Sequence, residues 1–146
     1  SSFELIIREA TGEYHPFFNL KGFRVMTEMK ETGLLECEAT IKVEVGGRIE
    51  HTASNGNGPV EALDNALRKA LEKFYPEIAH MHLTDYKVRV LNEQEGTGSS
   101  VRVLIEQARE TDSWGTVGVS SNIIEASWLA LVDGIEYMLF KFRDKK

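Results

Sequence analysis

Residues 52–67 read TASNGNGPVEALDNAL, and residues 116–131 read TVGVSSNIIEASWLAL. Each is a Gly/Ser-rich passage running directly into an apolar segment of helical spacing. They align at an offset of 64 residues, with Thr52 on Thr116, Glu61 on Glu125, Ala62 on Ala126, Ala66 on Ala130 and Leu67 on Leu131. The same offset sets Ala39 on Val103 and Ile41 on Ile105, which keeps the facing of the upstream strand positions, and an offset of 63 sets Phe23 on Tyr86 and Val25 on Val88. One frame is therefore written twice.

Working outward from the first copy, Phe23 and Val25 alternate with polar residues, as do Cys37, Ala39, Ile41, Val43 and Val45, which is the period of half-buried strands. Gly46-Gly47 predicts a two-residue hairpin turn, because tight hairpins need positive φ angles, and a third strand follows from Arg48 to Ala53. Gly58-Pro59 then opens a helix, with Val60, Leu63, Leu67, Ala70, Leu71 and Phe74 on one face. After Pro76 the pattern restarts: Tyr86, Val88 and Val90; then Val101, Val103 and Ile105; then Trp114 to Val119; then a helix from Ile123 with Ile124, Trp128, Leu131, Ile135, Met138 or Leu139, and Phe142 as its stripe. The expected class is α+β: duplicated βββα units related by a pseudo-twofold, with helices packed on antiparallel sheets. Residues 1–19 read as the tail of a linker region, with Phe3, Ile6 and Ile7 on one helical face before breaks at Gly12 and Pro16. Residues 20–146 read as the domain, its repeats covering about 20–76 and 83–143.

A chain of 146 residues with 42% apolar and 27% charged residues suits one globular domain. Its formal charge of −6, with 17 basic against 23 acidic residues, argues against nucleic acid and against membrane surfaces. The single cysteine, Cys37, falls on the apolar side of a strand, which points to a core thiol in a reducing compartment. Apolar runs such as Trp128 to Val132 are far below the ~18 residues of a membrane span, and the expected location is cytoplasmic.

Both helix starts offer unpaired N–H groups and a partial positive charge that suit a carboxylate or phosphate, and Gly56 and Gly58 would allow close approach to the backbone. Simple capping explains the same residues, Asn122 and Glu125 forming an N-x-x-E cap in the second copy. GNGPVE lacks both the third glycine of a dinucleotide fingerprint and a Gly-Lys-Ser/Thr, and Glu61 disfavours a multiply charged anion. A small zwitterion fits better than a nucleotide. His80, His82 and Asp85 have spacing a metal could use, but they sit at the connection between the copies and no further histidine completes the set. No Ser lies in a Gly-x-Ser-x-Gly turn, and the carboxylates Asp85 and Glu61 have no oxyanion site or general acid beside them. Tyr137, Phe140 and Phe142 suggest an apolar outer helix surface, and hence a symmetric dimer.

The segments GNGPVEALDNALRKAL, LTDYKVRVL and WGTVGVSSNIIEASWLAL, in that order, resemble the C-terminal regulatory domain of the 2-isopropylmalate synthase family, over about Phe17 to Phe142. Within the family, DYKVRVL with WGTVGVSSNIIEASW is more similar to citramalate synthases than to isopropylmalate synthases, whose second loop commonly carries Gly-x-Ser-x-Asp; here Asn122 stands at that Asp. The resemblance implies a homodimeric domain that binds a branched-chain amino acid, isoleucine on the citramalate route or leucine on the other, as feedback inhibitor of an acetyl-CoA-dependent acyltransferase. It places the catalytic barrel, its divalent metal and acetyl-CoA upstream, so that this chain carries no catalytic residue and no cofactor of its own. It assigns the effector pocket to Gly56, Gly58, Val60 and Glu61 around the first loop; to Leu83, Tyr86 and Val90 on the LTDY strand, with Thr97 and Gly98 following; and to Val119 and Ser121 near the second loop. Two other readings stand beside it: a dimerisation module without ligand, and a small metal-dependent enzyme using His80, His82 and Asp85.

Overall fold

Three strands and a helix occur in order, and then again, in a computed structural model that describes residues 16–91 and 100–143. The expected linker tail lies, for residues 1–15, outside the described residues. The described chain divides into two compact units, residues 17–79 and residues 80–91 with 100–143, to which Pro16 also belongs.

In the first unit β1 (Asn19–Met29), β2 (Leu35–Val45) and β3 (Arg48–Gly56) form an antiparallel sheet in sequence order, followed by α1 (Pro59–Leu71). Register pairs Val25 with Ala39 and Ser54, and Phe23 with Ile41 and Thr52, so the period-two apolar set shares one face. Cys37, Ala39, Ile41 and Val43 are buried on that face together with Val60, Leu63, Leu67, Ala70 and Leu71 of α1. Gly46 and Gly47 have φ of 55° and 85°, the left-handed values the hairpin demands. The Lys30 ammonium bridges Glu28 (3.2 Å) and Glu36 (3.5 Å) across the β1–β2 turn. Hydrogen bonding to Glu28, then the charge of Glu28 and Glu36, raises it above the ordinary lysine value.

The second unit opens with a 3-10 turn (Pro76–His80 straddles the division) and repeats the plan with β4 (Met81–Leu91), β5 (Ser100–Arg109), β6 (Asp112–Ser120) and α2 (Ile123–Arg143). The duplication reaches individual atoms. Thr52 Oγ1 donates to the Ala66 carbonyl at 2.9 Å, and Thr116 Oγ1 to that of Ala130 at 2.6 Å. The outer strands carry equivalent bulges, between Leu20 and Gly22 in β1 and between Leu83 and Asp85 in β4, both at the offset of 63; the change to 64 falls between the first and second strands of each unit. In each unit the third strand presses a glycine against helix backbone: a Cβ on Gly56 would meet Ala62 N at 2.4 Å, and one on Gly118 would overlap Ala126 O.

One expectation is corrected here. Tyr137 is buried and Phe140 and Phe142 are half-buried, so they do not form an outward apolar surface. The indole of Trp114 on β6 offers a body large enough to take two rings, with centroids 5.8 Å from Tyr137 and 6.2 Å from Phe142, and the Arg109 guanidinium stacks on Phe142 at 4.9 Å. No helix among the described residues is long and apolar enough to cross a membrane.

Candidate functional site

Four of the sequence-derived residues come together at the start of α1. Gly56 closes β3, Gly58 is the N-cap, and Val60 and Glu61 fill the first turn behind Pro59. Gly58 has φ −163°, ψ 176°, extended backbone that any residue adopts. The close approach at Gly56 is used by the chain's own helix, whose Glu61 and Ala62 backbone fills the space where a side chain would project. Glu61 Oε1 turns back to accept the Asn57 N–H at 2.8 Å. The N-cap makes no side-chain hydrogen bond to the first turn.

The corresponding start of α2 is closed. Asn122 Oδ1 accepts from Ile124 N (2.8 Å) and Glu125 N (3.2 Å), as the N-x-x-E spacing predicts. The return bond of that motif takes a different route: Asn122 N donates to Ser120 Oγ at 3.1 Å, and Ser120 is hydrogen-bonded to Glu125. Ser120 is a residue that the spacing alone did not single out. Ser121 lies exposed in the same turn.

Leu83, Tyr86 and Val90 sit on one face of β4, the face that also carries Ile105 and Thr116, because register pairs Tyr86 with Ile105 and Val90 with Val101. Helix α2 covers β5 and β6 and leaves this side of β4 open. Tyr86 is therefore 45% and Val90 64% exposed, and Val88 between them, 41% exposed, completes an apolar stripe. Val88 follows from the period-two pattern once the facing is known. Val119, paired with Arg102, points to the opposite face of the same sheet. Thr97 and Gly98 lie outside the described residues.

Behind the first helix start, Asp64 is 1% exposed. Burial drives its carboxyl above the ordinary aspartate value, against the opposing pull of Arg68, whose Nε lies 3.1 Å from Oδ2; Glu61 adds a smaller push upward. Asp64 Oδ1 accepts no hydrogen bond among the described residues. His80 ends the 3-10 turn and His82 lies exposed on β4, and no group of three or more potential metal ligands occurs among the described residues. Cys37 is buried, its sulfur 3.4 Å from Thr27 Oγ1. The described residues present a helix start without a side-chain cap in one unit and an exposed apolar strand face in the other.

Residues 1–139 match the family described as the LeuA allosteric (dimerisation) domain. The chain is similar to the (R)-citramalate synthases of Geobacter sulfurreducens, 58% identical over 142 residues, and Aquifex aeolicus, 51% identical over 142 residues; each alignment takes in 97% of this chain and 27% of the relative. It is also similar to the 2-isopropylmalate synthase of Shewanella woodyi, 30% identical over 128 residues, covering 88% of this chain and 22% of that enzyme. The chain thus spans about a quarter of the length of the relatives it matches.

Proposed function

Because the chain belongs to the LeuA allosteric (dimerisation) domain family, we propose that it is the regulatory part of a citramalate synthase-like enzyme, dimerising and binding isoleucine as a feedback inhibitor. The observation that carries the reading is the open stripe of Tyr86, Val88 and Val90 on β4, an apolar surface suited to a branched side chain in a family described as allosteric. The greater identity to citramalate synthases than to a 2-isopropylmalate synthase favours isoleucine over leucine. On this reading the condensation of acetyl-CoA with pyruvate, with its divalent metal, belongs to a catalytic part of the cytoplasmic parent enzyme, and this chain contributes no catalytic group.

Isoleucine and leucine differ in the position of one methyl, and an apolar pocket separates such isomers by about 1–3 kcal/mol, or ~10–200-fold in affinity. Calorimetric titration with isoleucine, leucine and valine tests the proposal. Isoleucine should bind most tightly, and Tyr86→Ala should weaken it. A preference for leucine transfers the domain to the isopropylmalate branch of the family. Silence with all three, with no thermal shift, leaves only a dimerisation module. By linkage, an inhibiting effector must bind the inactive arrangement of the parent enzyme more tightly than the active one.

A further inference from the structure

The outer face of the first sheet, turned away from α1, carries a feature the duplicated plan does not require. Register places Lys42 beside Gly22 on β1 and directly opposite His51 on β3, with Arg24 paired to Thr40 one step along the same face. At the β1 bulge these residues line a shallow pocket of about 310 Å3, joined by Lys21 and the half-buried Thr40. No carboxylate lines it. Lys21 is held by Glu44 at 3.3 Å, and the nearest carboxylate positions along β2 beyond Thr40, Glu38 and then Glu36, fall in a separate pocket with Glu28 and Lys30. Among the described residues, neither Arg24 nor Lys42 has an ion-pair partner.

Arg24 on β1 and Lys42 on β2 are diagonal neighbours on one face, and like charges so placed repel when no anion lies between them. In a chain of formal charge −6 this concentration of unpaired cations is against the average. The second unit supplies the comparison. Its equivalent positions hold Lys87, Leu104, Glu106 and Gly115, so the same sheet folds with a carboxylate in place of Lys42 and no side chain in place of His51. The outer face of the second sheet has cations of its own, Lys87 and Arg89 opposite Arg102, but at the bulge it sets Asp85 beside Glu106, so the basic lining of the bulge is particular to the first unit.

We infer that this pocket is a second ligand site, distinct from the β4 stripe, which takes a phosphate-type dianion, free or as the terminal group of a small ester. The Arg24 guanidinium offers a planar fork for two oxyanion oxygens, Lys42 a point charge, and the Thr40 hydroxyl a neutral donor at the floor. A site so shallow and open grips the oxyanion and leaves the rest of an ester in solvent.

The test is an NMR titration of the 146-residue chain with inorganic phosphate at constant ionic strength, with chloride as control and a simple phosphate monoester as second arm. Shifts of the β1–β3 amides around Arg24, Lys42 and His51 should saturate with phosphate and not with chloride. Equal affinity for ester and free phosphate assigns recognition to the oxyanion, and tighter ester binding adds contacts from its organic part. Arg24→Gln and Lys42→Glu should each weaken binding at least tenfold, while Lys87→Ala on the second sheet changes nothing; retained isoleucine binding or unchanged circular dichroism confirms that the variants fold. Linear shifts equal to those with chloride, or saturation that survives both substitutions, would overturn the assignment.

Discussion

The two units solve one contact in different ways, and exchanging the solutions tests the duplicated frame. At the position where the first unit has Val43 on β2 and Ala70 on α1, both fully buried, the second has Gln107 on β5 and Gly134 inside α2. A Cβ on Gly134 would lie 1.8 Å from Gln107 Oε1, so Gly134→Ala forces the carboxamide out of its place. Alanine in a helix interior gains about 1 kcal/mol over glycine. Against this, the Trp114 indole N–H loses its 3.3 Å bond to Gln107 Oε1, keeping the Gly134 carbonyl at 3.1 Å, and a displaced buried amide costs ~1–3 kcal/mol with overpacking of similar size. The single variant should be destabilised by roughly 1–5 kcal/mol. Gln107→Val removes an Nε2 that already has no partner among the described residues, and should cost about 1 kcal/mol through lost volume. Together the changes reproduce the Val43/Ala70 pair, the new methyl taking up vacated space, so the double variant should be at least ~1 kcal/mol more stable than the sum of the singles allows. Urea unfolding followed by tryptophan fluorescence measures this, with unchanged m-values as the sign of two-state comparison. Additivity within about 0.5 kcal/mol would show that the glycine is not there for the glutamine.

The unequal helix starts give a second expectation: Asn122→Ala should cost about 1 kcal/mol through its two amide bonds, whereas Gly58→Ser, at extended backbone angles, should leave stability unchanged or raise it by a few tenths of a kcal/mol, both read by urea unfolding. Asp64 gives a third, of defined sign. Its folded-state carboxyl titrates above the unfolded value of 3.8, so the folded form binds more protons just above that pH and stability falls as pH rises through the window; Asp64→Asn should flatten this slope, which thermal melts from pH 4 upward will show. Glu110 in the β5–β6 turn has φ 57°, so Glu110→Asn should raise the melting temperature, losing only the exposed contact to Arg109 at 3.2 Å.

Period-two and helical spacing carried the strands and helices because each element buries one face, and burial leaves its mark at every second or fourth residue. The turn at Glu110-Thr111 left no such mark: neither residue is glycine, although the offset of 64 from Gly46-Gly47 points straight at it. Tyr137 and Phe142 were misplaced for a related reason, since their partner Trp114 lies on a strand, and an aromatic contact between elements far apart in sequence has no period. The candidate site was legible in part. The glycine at position 56 read as a point where a ligand could approach the backbone; the helix it precedes fills the space where its side chain would project, and only three-dimensional placement reveals that packing. Likewise the strand pattern put Tyr86 and Val90 on the side where a helix was expected, without revealing that the helix covers only two of three strands.

Both helices lie mainly on the second and third strands of their sheets, α1 also reaching β1, and the first strand of each stands at the edge with a bulge at the equivalent place. In β1 the helix-side residues Phe23 and Val25 are half-buried, whereas in β4 their equivalents Tyr86 and Val88 are exposed. The outer faces have diverged at the bulge: the first sheet has Lys42 and His51 where the second has Glu106 and Gly115. A duplicated frame held by buried threonine–carbonyl bonds and strand glycines can keep its fold while such solvent-facing positions change, because their substitution costs little stability. Loss of binding with unchanged unfolding is therefore the expected signature of Tyr86→Ala and Lys42→Glu alike, each confined to its own ligand. If either substitution abolished both binding events while the fold persisted, the two faces would have to be one coupled site, and the separate assignments made to β4 and to the first sheet would fail together.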